Sequence, residues 1–403
     1  MREGDHLTVL TLKAAGLLDI DAGEIVRPGI LRIEGDLIAG VGGPPQGEII
    51  DLGELILLPG LMDMEVNLLM GGRGETAAYS PVQDDPPLRM LRAVGNARRT
   101  LRAGFTTVRN LGLFVKTGGY LLDVALAKAI DAGWIDGPRI IPAGHAITPT
   151  GGHLDPTMFG AFAPGVLPMT VEEGIADGID QVRHAVRYQI KHGAKLIKVC
   201  ASGGVMSHTG APGAQHYSDE ELRAIVDEAH RRGLRVAAHT HGAEAVRAAV
   251  EAGIDCIEHG FLIDKAAIEA MVERGTFLVP TTFLADGMDV SKAAPELQAK
   301  AAEMFPRART SVHAAYEAGV RIAAGTDAPA IPHGRNASEL VALATAEQQL
   351  YDTARELLPG AVELTETPWR SEYLYSRAAT IYGGTAEIQR NIIARRLLRL
   401  GSD

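Results

Sequence analysis

Four side chains of types that bind divalent metal ions each stand at the carboxyl end of a short apolar segment. They are Lys198, His239, His259 and Asp327. His241 follows His239 at i+2, a spacing that places both side chains on one face of a strand. Imidazole and carboxylate groups suit zinc, iron or manganese. If the segments are strands whose ends meet on one face of a barrel, the pattern predicts a metal centre able to activate water.

Lys198 has two interpretations on these grounds. A buried lysine ammonium is costly unless its charge is removed or paired. Reaction with carbon dioxide would convert it to a carbamate that can bridge two cations. A lysine at a strand end can instead extend to the rim or pair with a carboxylate, and the sequence leaves both interpretations open.

The elements that must position these side chains follow a regular pattern. From residue 55 onward, short apolar segments alternate with amphipathic helices, as in a parallel α/β barrel. One helix, at 219–232, has a predicted capping box of Ser218 and Glu221. Residues 8–58 instead predict a small all-β unit. The eight predicted barrel strands lie at 55–66, 104–111, 138–147, 195–202, 235–241, 255–260, 277–283 and 321–327.

Composition restricts the possible classes of function. The 403 residues carry a net charge of −11, which argues against nucleic acid as a partner. The N-terminus lacks the apolar core of a signal peptide, and no apolar run approaches the ~20 residues of a membrane span. The two cysteines, Cys200 and Cys256, suggest no disulfide framework, so the cytoplasm is the expected location. We expect a small-molecule substrate and a homo-oligomer.

A series of short motifs in fixed order identifies a family. They are Leu58–Met64, Ala103–Arg109, Thr150–His153, Ile197–Gly204, His239–Gly242, Ile257–Gly260 and Gly325–Ala328. With these motifs, residues 1–339 resemble the amidohydrolase superfamily, in particular its imidazolonepropionase-like and Xaa-Pro dipeptidase-like branch. The resemblance implies an α/β fold, with a distorted (β/α)8 TIM-type barrel at 59–345. It also implies a small β-sandwich, of which residues 1–58 would supply an incomplete part.

The resemblance further implies a set of metal ligands. Lys198 would be the carboxylated lysine that bridges two ions, and His239 and His259 would bind the second of them. Asp327 would be both a ligand and the general base for a water that attacks an amide, dipeptide or lactam carbonyl. Zinc is the expected ion.

Other residues are implied to contact the substrate. His241 or His153 would hydrogen-bond the oxyanion of the tetrahedral intermediate. His153 and Tyr217 lie where members of the family contact substrate.

The chain departs from the family at Glu65 and Asn67, where the family has His-x-His and holds the more buried ion. Glutamate can still bind a cation through oxygen, whereas asparagine is a weak neutral ligand. Glu65 could therefore keep the first ion, or that site could be lost and one ion remain on Lys198, His239 and His259. We favour one firmly bound ion, with a second kept open. A third interpretation is an inactive site in which Glu65 pairs with a cation such as Lys198.

The C-terminal tail, residues 346–403, is predicted to be helical and departs from the family a second time. Its run Ser376–Ile393 resembles the C-terminus of acyl-CoA dehydrogenases. Two alternatives to the hydrolase follow. One is a catalytically impaired barrel that serves as a binding or scaffold protein, and the other, which rests on the tail alone, is a flavin-linked oxidoreductase.

Overall fold

The computed structural model describes residues 9–20, 22–71, 84–156, 168–207, 210–291 and 293–343. They form a mixed α/β fold of two compact units, which divide between Met62 and Asp63. The sequence placed this boundary after residue 58. The predicted helical tail at 346–403 lies outside the described residues. None of the described helices has the length and apolar character needed to cross a membrane.

The first unit contains two small sheets with an apolar core. Its strands are β1 (Val9–Ala14), β2 (Gly16–Asp19), β3 (Glu24–Val26), β4 (Gly29–Glu34), β5 (Leu37–Val41), β6 (Glu48–Asp51) and β7 (Ile56–Leu57). Strand orders are β5-β4-β1-β6 and β3-β2-β7. Leu10, Leu12 and Ala14 occupy alternate positions of β1, and therefore pack on one side against Leu31 and Ile33. This agrees with the all-β unit predicted for 8–58.

Eight strands organise the second unit, and each predicted barrel segment overlaps one of them. They are β8 (Leu61–Val66), β9 (Phe105–Asn110), β10 (Arg139–Pro142), β11 (Ile197–Cys200), β12 (Val236–Gly242), β13 (Cys256–Leu262), β14 (Phe277–Val279) and β15 (Arg321–Ile322). Three form a sheet of order β10-β9-β8, and five form a sheet of order β11-β12-β13-β14-β15. Neighbouring strands in the second sheet are all parallel.

Backbone hydrogen bonds connect these two sheets at both of their edges. The N–H of Ile147 donates to the carbonyl oxygen of Lys198 at 2.8 Å, which joins the segment after β10 to β11. The N–H of Asp327 donates to the carbonyl oxygen of Glu65 at 2.8 Å, which joins the segment after β15 to β8. The order of the eight strands therefore brings the first and last of them together.

Helices pack against these strands. They are α1 (Pro86–Arg102), α2 (Leu122–Asp131), α3 (Gly178–His192), α4 (Asp219–His230), α5 (Ala243–Ala252), α6 (Lys265–Arg274), α7 (Leu284–Gly287) and α8 (Pro295–Glu317). The capping box of Ser218 and Glu221 at the start of α4 is confirmed. On β11, Ile197 and Val199 pack into the apolar cluster shared with the helices. Lys198, which lies between them in the strand, therefore faces the opposite side.

Candidate metal centre

Three buried imidazoles lie together on β12 and β13. His239 and His241 share a face of β12, and His259 lies on the neighbouring parallel strand. One ring nitrogen of each lies within 4.8 Å of the others. The rings of His241 and His259 stack with centroids 5.0 Å apart, and His239 meets His259 edge-on at 4.7 Å. Within the described residues, this is the group of His, Cys, Asp and Glu side chains close enough to share an ion.

Burial keeps these three imidazoles neutral. It lowers the pKa of His239, His241 and His259 well below the usual value, and nearby positive charge, including that of Lys198, lowers each further. A neutral imidazole keeps a lone pair on one ring nitrogen, which is the form that binds a metal ion. The environment therefore prepares all three rings as ligands.

Thr281 determines which nitrogen of His259 carries the proton. Its hydroxyl donates to the carbonyl oxygen of Pro280 at 2.8 Å and lies 2.8 Å from Nδ1 of His259. Because a hydroxyl has one hydrogen, it must accept the second bond from Nδ1–H. Nε2 of His259 therefore keeps the lone pair, and it lies 3.5 Å from Oε1 of Glu65.

Glu65 and Lys198 form a buried ion pair beside the imidazoles. Oε1 of Glu65 lies 3.2 Å from Nζ of Lys198. Burial raises the pKa of Glu65 even though Lys198 opposes the shift. Burial is the largest influence on the pKa of Lys198 and lowers it, but the combined attraction of Glu65 and the other acidic groups nearby outweighs burial and the net shift is upward. Their roles as metal ligands stay predictions, since each side chain is the other's ionic partner.

Asp327 lies next to Glu65 at the strand ends, and its backbone is strained. Burial, reinforced by the charge of Glu65, raises the pKa of Asp327 well above its usual value. Of the four described non-glycine residues with positive φ, three are His259 (72°), Thr281 (46°) and Asp327 (54°). This conformation is unfavourable, by about 1–3 kcal/mol each, and is concentrated at functional sites in proteins. The strain here coincides with the imidazole cluster.

His153 and the backbone of Gly204 border the cluster at His239. The rings of His153 and His239 stack at 3.8 Å, and Nδ1 of His153 lies 2.8 Å from the hydroxyl oxygen of Ser207. The same hydroxyl oxygen accepts the N–H of Gly204 at 3.0 Å. A Cβ at Gly204 would lie 2.7 Å from Nε2 of His239. Glycine at this position therefore leaves Nε2 of His239 room for a ligand.

Two further residues singled out from the sequence are engaged elsewhere. The hydroxyl of Tyr217 donates to the carbonyl oxygen of Ala176 at 2.9 Å, and its ring belongs to the main apolar cluster. Its role in substrate binding stays a prediction. The side-chain amide of Asn67 donates to the carbonyl oxygen of Gly112 at 2.7 Å. The structure therefore brings His153 to the imidazole cluster and places the Tyr217 hydroxyl against the backbone.

The donor atoms at the centre fit a divalent cation. Nε2 of His239, Nδ1 of His241 and Oε2 of Glu65 are buried and have no hydrogen-bond partner in the protein. Buried polar atoms without partners are uncommon and unfavourable. A cation among these atoms would satisfy them, and imidazole and carboxylate are suitable ligands for zinc.

The comparison with known families identifies the group to which this chain belongs. The sequence profile of the Amidohydrolase family matches residues 56–362. The chain is a member of the amidohydrolase family. This confirms the resemblance inferred from the motifs.

Several relatives of this amidohydrolase are known. Ochratoxinase from Aspergillus niger is 35% identical over 359 residues, covering 82% of this chain and 71% of the relative. A crystal structure of a Xaa-Pro dipeptidase with methionine bound in its active site is similar with a TM-score of 0.74 and 32% identity, covering 92% of this chain and 89% of the other. An acyl-CoA dehydrogenase from Mycolicibacterium smegmatis is 69% identical over 32 residues, which is 8% of either chain.

Sequence reasoning missed three residues that shape the centre of this amidohydrolase: Thr281, Ser207 and Gly204. Gly204 lies in the motif Ile197–Gly204, which helped to identify the family. The sequence did not indicate that the lack of a side chain at this position leaves space beside His239. Thr281 lies within a predicted barrel segment, 277–283, as the predicted ligands lie within theirs, and this placement was the one signal that could have found it. Ser207 had no comparable signal.

Proposed function

We propose that this protein is a metal-dependent hydrolase that cleaves a C–N bond of an amide, dipeptide or lactam. The observation that carries the proposal is the cluster of His239, His241 and His259, whose rings are neutral and buried within 4.8 Å of one another. Membership of the amidohydrolase family supports a hydrolase acting on C–N bonds. The relatives named ochratoxinase and Xaa-Pro dipeptidase are consistent with that class.

The barrel that this function requires is also a proposal, in which the eight strands close into a distorted (β/α)8 TIM-type barrel. The backbone hydrogen bonds at both edges of the two sheets support closure. So does an apolar cluster that combines side chains from both sheets, with Met64 and Ile141 from one and Ala237, Cys256 and Phe277 from the other. Interior layers of this kind fill the core of closed barrels.

The expected ion is zinc, held by His239, His241 and His259. When bound, it would polarise the scissile carbonyl and lower the pKa of a water molecule. Asp327 is the proposed general base, which accepts the proton of the attacking water and delivers it to the leaving nitrogen. Asp327 is also proposed as a further ligand of the zinc ion, as predicted from the sequence.

Of the two side chains predicted to stabilise the oxyanion of the tetrahedral intermediate, His241 or His153, His153 is proposed for this role, because His241 holds the ion in this arrangement. His153 is held against His239 by ring stacking and by Ser207, so its orientation is already set before substrate binds. Preorganised donors of this kind contribute strongly to catalysis. A small-molecule substrate, a homo-oligomer and a cytoplasmic location are proposed on the grounds given for the sequence.

The test is hydrolysis of N-acyl amino acids, dipeptides and lactams by the purified full chain. We expect the zinc-loaded protein to cleave at least one class, a chelator to abolish cleavage, and added zinc to restore it. A His259→Ala variant should bind zinc weakly and be inactive. Cleavage that persists without metal would contradict the proposal. Zinc binding without any cleavage would favour the binding-protein alternative, and a bound yellow chromophore with a flavin spectrum would favour the oxidoreductase.

A further inference from the structure

The side chain of Glu339 binds the backbone directly after β14 from a distant part of the chain. One of its carboxyl oxygens accepts the N–H of Thr282 at 2.8 Å, and the other accepts the N–H of Phe283 at 2.7 Å. Glu339 follows these two residues by 57 and 56 positions and is 1% exposed. Phe283 is the N-cap residue of α7, and its own side chain makes no capping hydrogen bond. Glu339 therefore supplies partners to two N–H groups at the start of this short helix.

The turn that Glu339 binds begins at Thr281, whose backbone is strained. Thr281 is fully buried and has a φ of 46°, a left-handed conformation that β-branched residues rarely adopt. Such a conformation persists only where the surrounding structure enforces it. Here the next two N–H groups bind Glu339, and the carbonyl oxygen of Thr281 accepts the N–H of Leu284 at 3.1 Å. These bonds fix the backbone on the C-terminal side of Thr281.

The conformation of Thr281 affects the metal centre because its hydroxyl is the partner of His259. The hydroxyl oxygen lies 2.8 Å from Nδ1 of His259. A histidine that binds a metal ion relies on such a partner to set its tautomer and the orientation of its ring. A change in the backbone of Thr281 would move the hydroxyl relative to this ring. Glu339 is thus connected to His259 through one turn of backbone and one hydroxyl.

The segment that carries Glu339 is itself fixed to β8. Asn336, three residues earlier, donates from its side-chain amide to Oδ2 of Asp63 at 2.7 Å. The N–H of Glu339 donates to the carbonyl oxygen of Asn336 at 3.2 Å, and Asn336 is 1% exposed. Residues 336–339 therefore connect β8 with the turn after β14, and this anchoring limits the movement of Glu339.

We propose that Glu339 is a positioning residue for the metal centre and that it acts on His259 through Thr281. Its carboxyl group fixes the strained turn, the turn presents the hydroxyl of Thr281, and the hydroxyl orients the imidazole. The role needs two acceptor oxygens and does not require Glu339 to touch an ion or a substrate. This inference rests on the metal centre of the proposed function.

The test is a double-mutant cycle on zinc affinity, with Glu339→Gln and Thr281→Val made in the full chain. The amide nitrogen of glutamine cannot accept a hydrogen bond, so one N–H of the turn loses its partner. We expect Glu339→Gln to weaken zinc binding about 10-fold, the lower end of the range for groups that orient a ligating histidine. In the Thr281→Val background the same substitution should change the affinity by less than about 2-fold, because the hydroxyl through which Glu339 acts is absent.

The cycle separates positioning from a merely structural role. A residue that only stabilises the fold would give equal losses of zinc affinity in the two backgrounds, and that result would overturn the inference. Wild-type zinc affinity in Glu339→Gln would overturn it too. If Glu339→Gln does not fold, Glu339→Asp takes its place in the cycle, since it keeps a carboxyl group but reaches less far. Wild-type zinc affinity in the folded Glu339→Asp variant would also overturn the inference.

Asp123→Asn is the matched control for this cycle. The two carboxyl oxygens of Asp123 likewise accept two backbone N–H groups, those of Val124 and Gly144, each at 2.9 Å. This variant should keep the zinc affinity of the wild type. A loss equal to that of Glu339→Gln would show that removing any buried carboxyl of this kind weakens zinc binding, and would overturn the specific role of Glu339.

The two proposals fail in distinguishable ways. Zinc-dependent hydrolysis by the wild type, together with equal losses of affinity in the two backgrounds, would remove the role of Glu339 and leave the proposed function intact. The expected coupling between Glu339 and Thr281, without hydrolysis of any substrate class, would do the reverse.

Discussion

The carboxylate of Asp63 accepts two hydrogen bonds from Thr326, one from its backbone N–H at 3.0 Å and one from its hydroxyl at 2.6 Å. The same carboxylate accepts the N–H of Glu65 at 3.1 Å and the side-chain amide of Asn336 at 2.7 Å. Asp63 therefore joins the strand end that carries Glu65 to the strand end that carries Asp327. We infer that it is a positioning residue for the metal centre.

Asp63→Asn should weaken both the fold and the centre. The new amide would direct hydrogens toward groups that already donate, so we expect a loss of about 1–3 kcal/mol in the free energy of unfolding. Zinc affinity should fall as well, because the two strand ends lose their common anchor. Urea unfolding and competition with a chelating dye measure the two effects.

A matched control for Asp63 is Asp123→Asn. Asp123 is also buried, and it accepts the N–H groups of Val124 and Gly144. Its replacement should lower stability and leave zinc affinity unchanged. Wild-type zinc affinity in Asp63→Asn would show that Asp63 is structural only.

Thr281→Val should reduce zinc affinity by about 10- to 100-fold, the usual effect of removing the partner of a ligating histidine. Valine has the shape of threonine but cannot accept the Nδ1–H of His259, so the ring would lose its orientation. Isothermal titration with Zn²⁺ measures the change. Thr281→Ser keeps the hydroxyl and should bind zinc nearly as well as the wild type, and equal losses in the two variants would argue against this role.

Gly204→Ala should obstruct the centre. The added methyl carbon would lie 2.7 Å from Nε2 of His239, closer than real contacts allow. We expect weaker zinc binding with little change in stability. Gly95→Ala is the control, since its Cβ would meet nothing closer than 3.8 Å and its helix should be unaffected or slightly stabilised. Parallel zinc titrations of the two variants decide the point.

Asp327→Asn should separate catalysis from metal binding. An amide cannot accept the proton of an attacking water, so kcat for the substrate found in the screen should fall by about 10²- to 10⁴-fold. The zinc content should stay near that of the wild type, because the three imidazoles remain and the amide oxygen of asparagine can still contact the ion, although as a weaker ligand than the carboxylate. Steady-state kinetics and elemental analysis of the same sample test both statements. Near-normal kcat would remove Asp327 as the general base.

Glu339 should make stability depend on pH. Burial raises the pKa of this carboxyl from its ordinary 4.5 to about 8, although it accepts the N–H groups of Thr282 and Phe283 at 2.8 and 2.7 Å. Between pH 4.5 and pH 8 the folded protein binds a proton that the unfolded chain has released. The free energy of unfolding should therefore fall as pH rises through this window.

The measurement for Glu339 is urea unfolding of metal-free protein at pH 5 and pH 8.5. Glu339→Gln cannot ionise, so its free energy of unfolding should change less between the two pH values than that of the wild type. Equal changes would mean that other groups cause the dependence.

Much of the fold was predictable because its signals are local. Alternation around Lys198 showed which side of β11 faces the helices, and the capping box at Ser218 located the start of α4. Such patterns depend on neighbours within a few residues, so they can be recognised without knowledge of the tertiary structure. The family also followed from ordered motifs. The roles of individual site residues could not be derived from such local patterns, because they depend on contacts between residues far apart in the chain.

Residue types and spacing by themselves determined which side chains could form a metal centre and that strand ends would carry them. Only the tertiary structure decided how those side chains pair. Glu65 and Lys198 are 133 residues apart and lie on strands of different sheets, so their ion pair exists only through the tertiary structure. Likewise, Thr281 orients His259 and the backbone engages Tyr217 through long-range packing, which no local pattern encodes. Whether a buried lysine is a metal ligand or a counter-ion depends on that packing, since the interaction energy between neighbouring charges is much larger in the low-dielectric interior than in water.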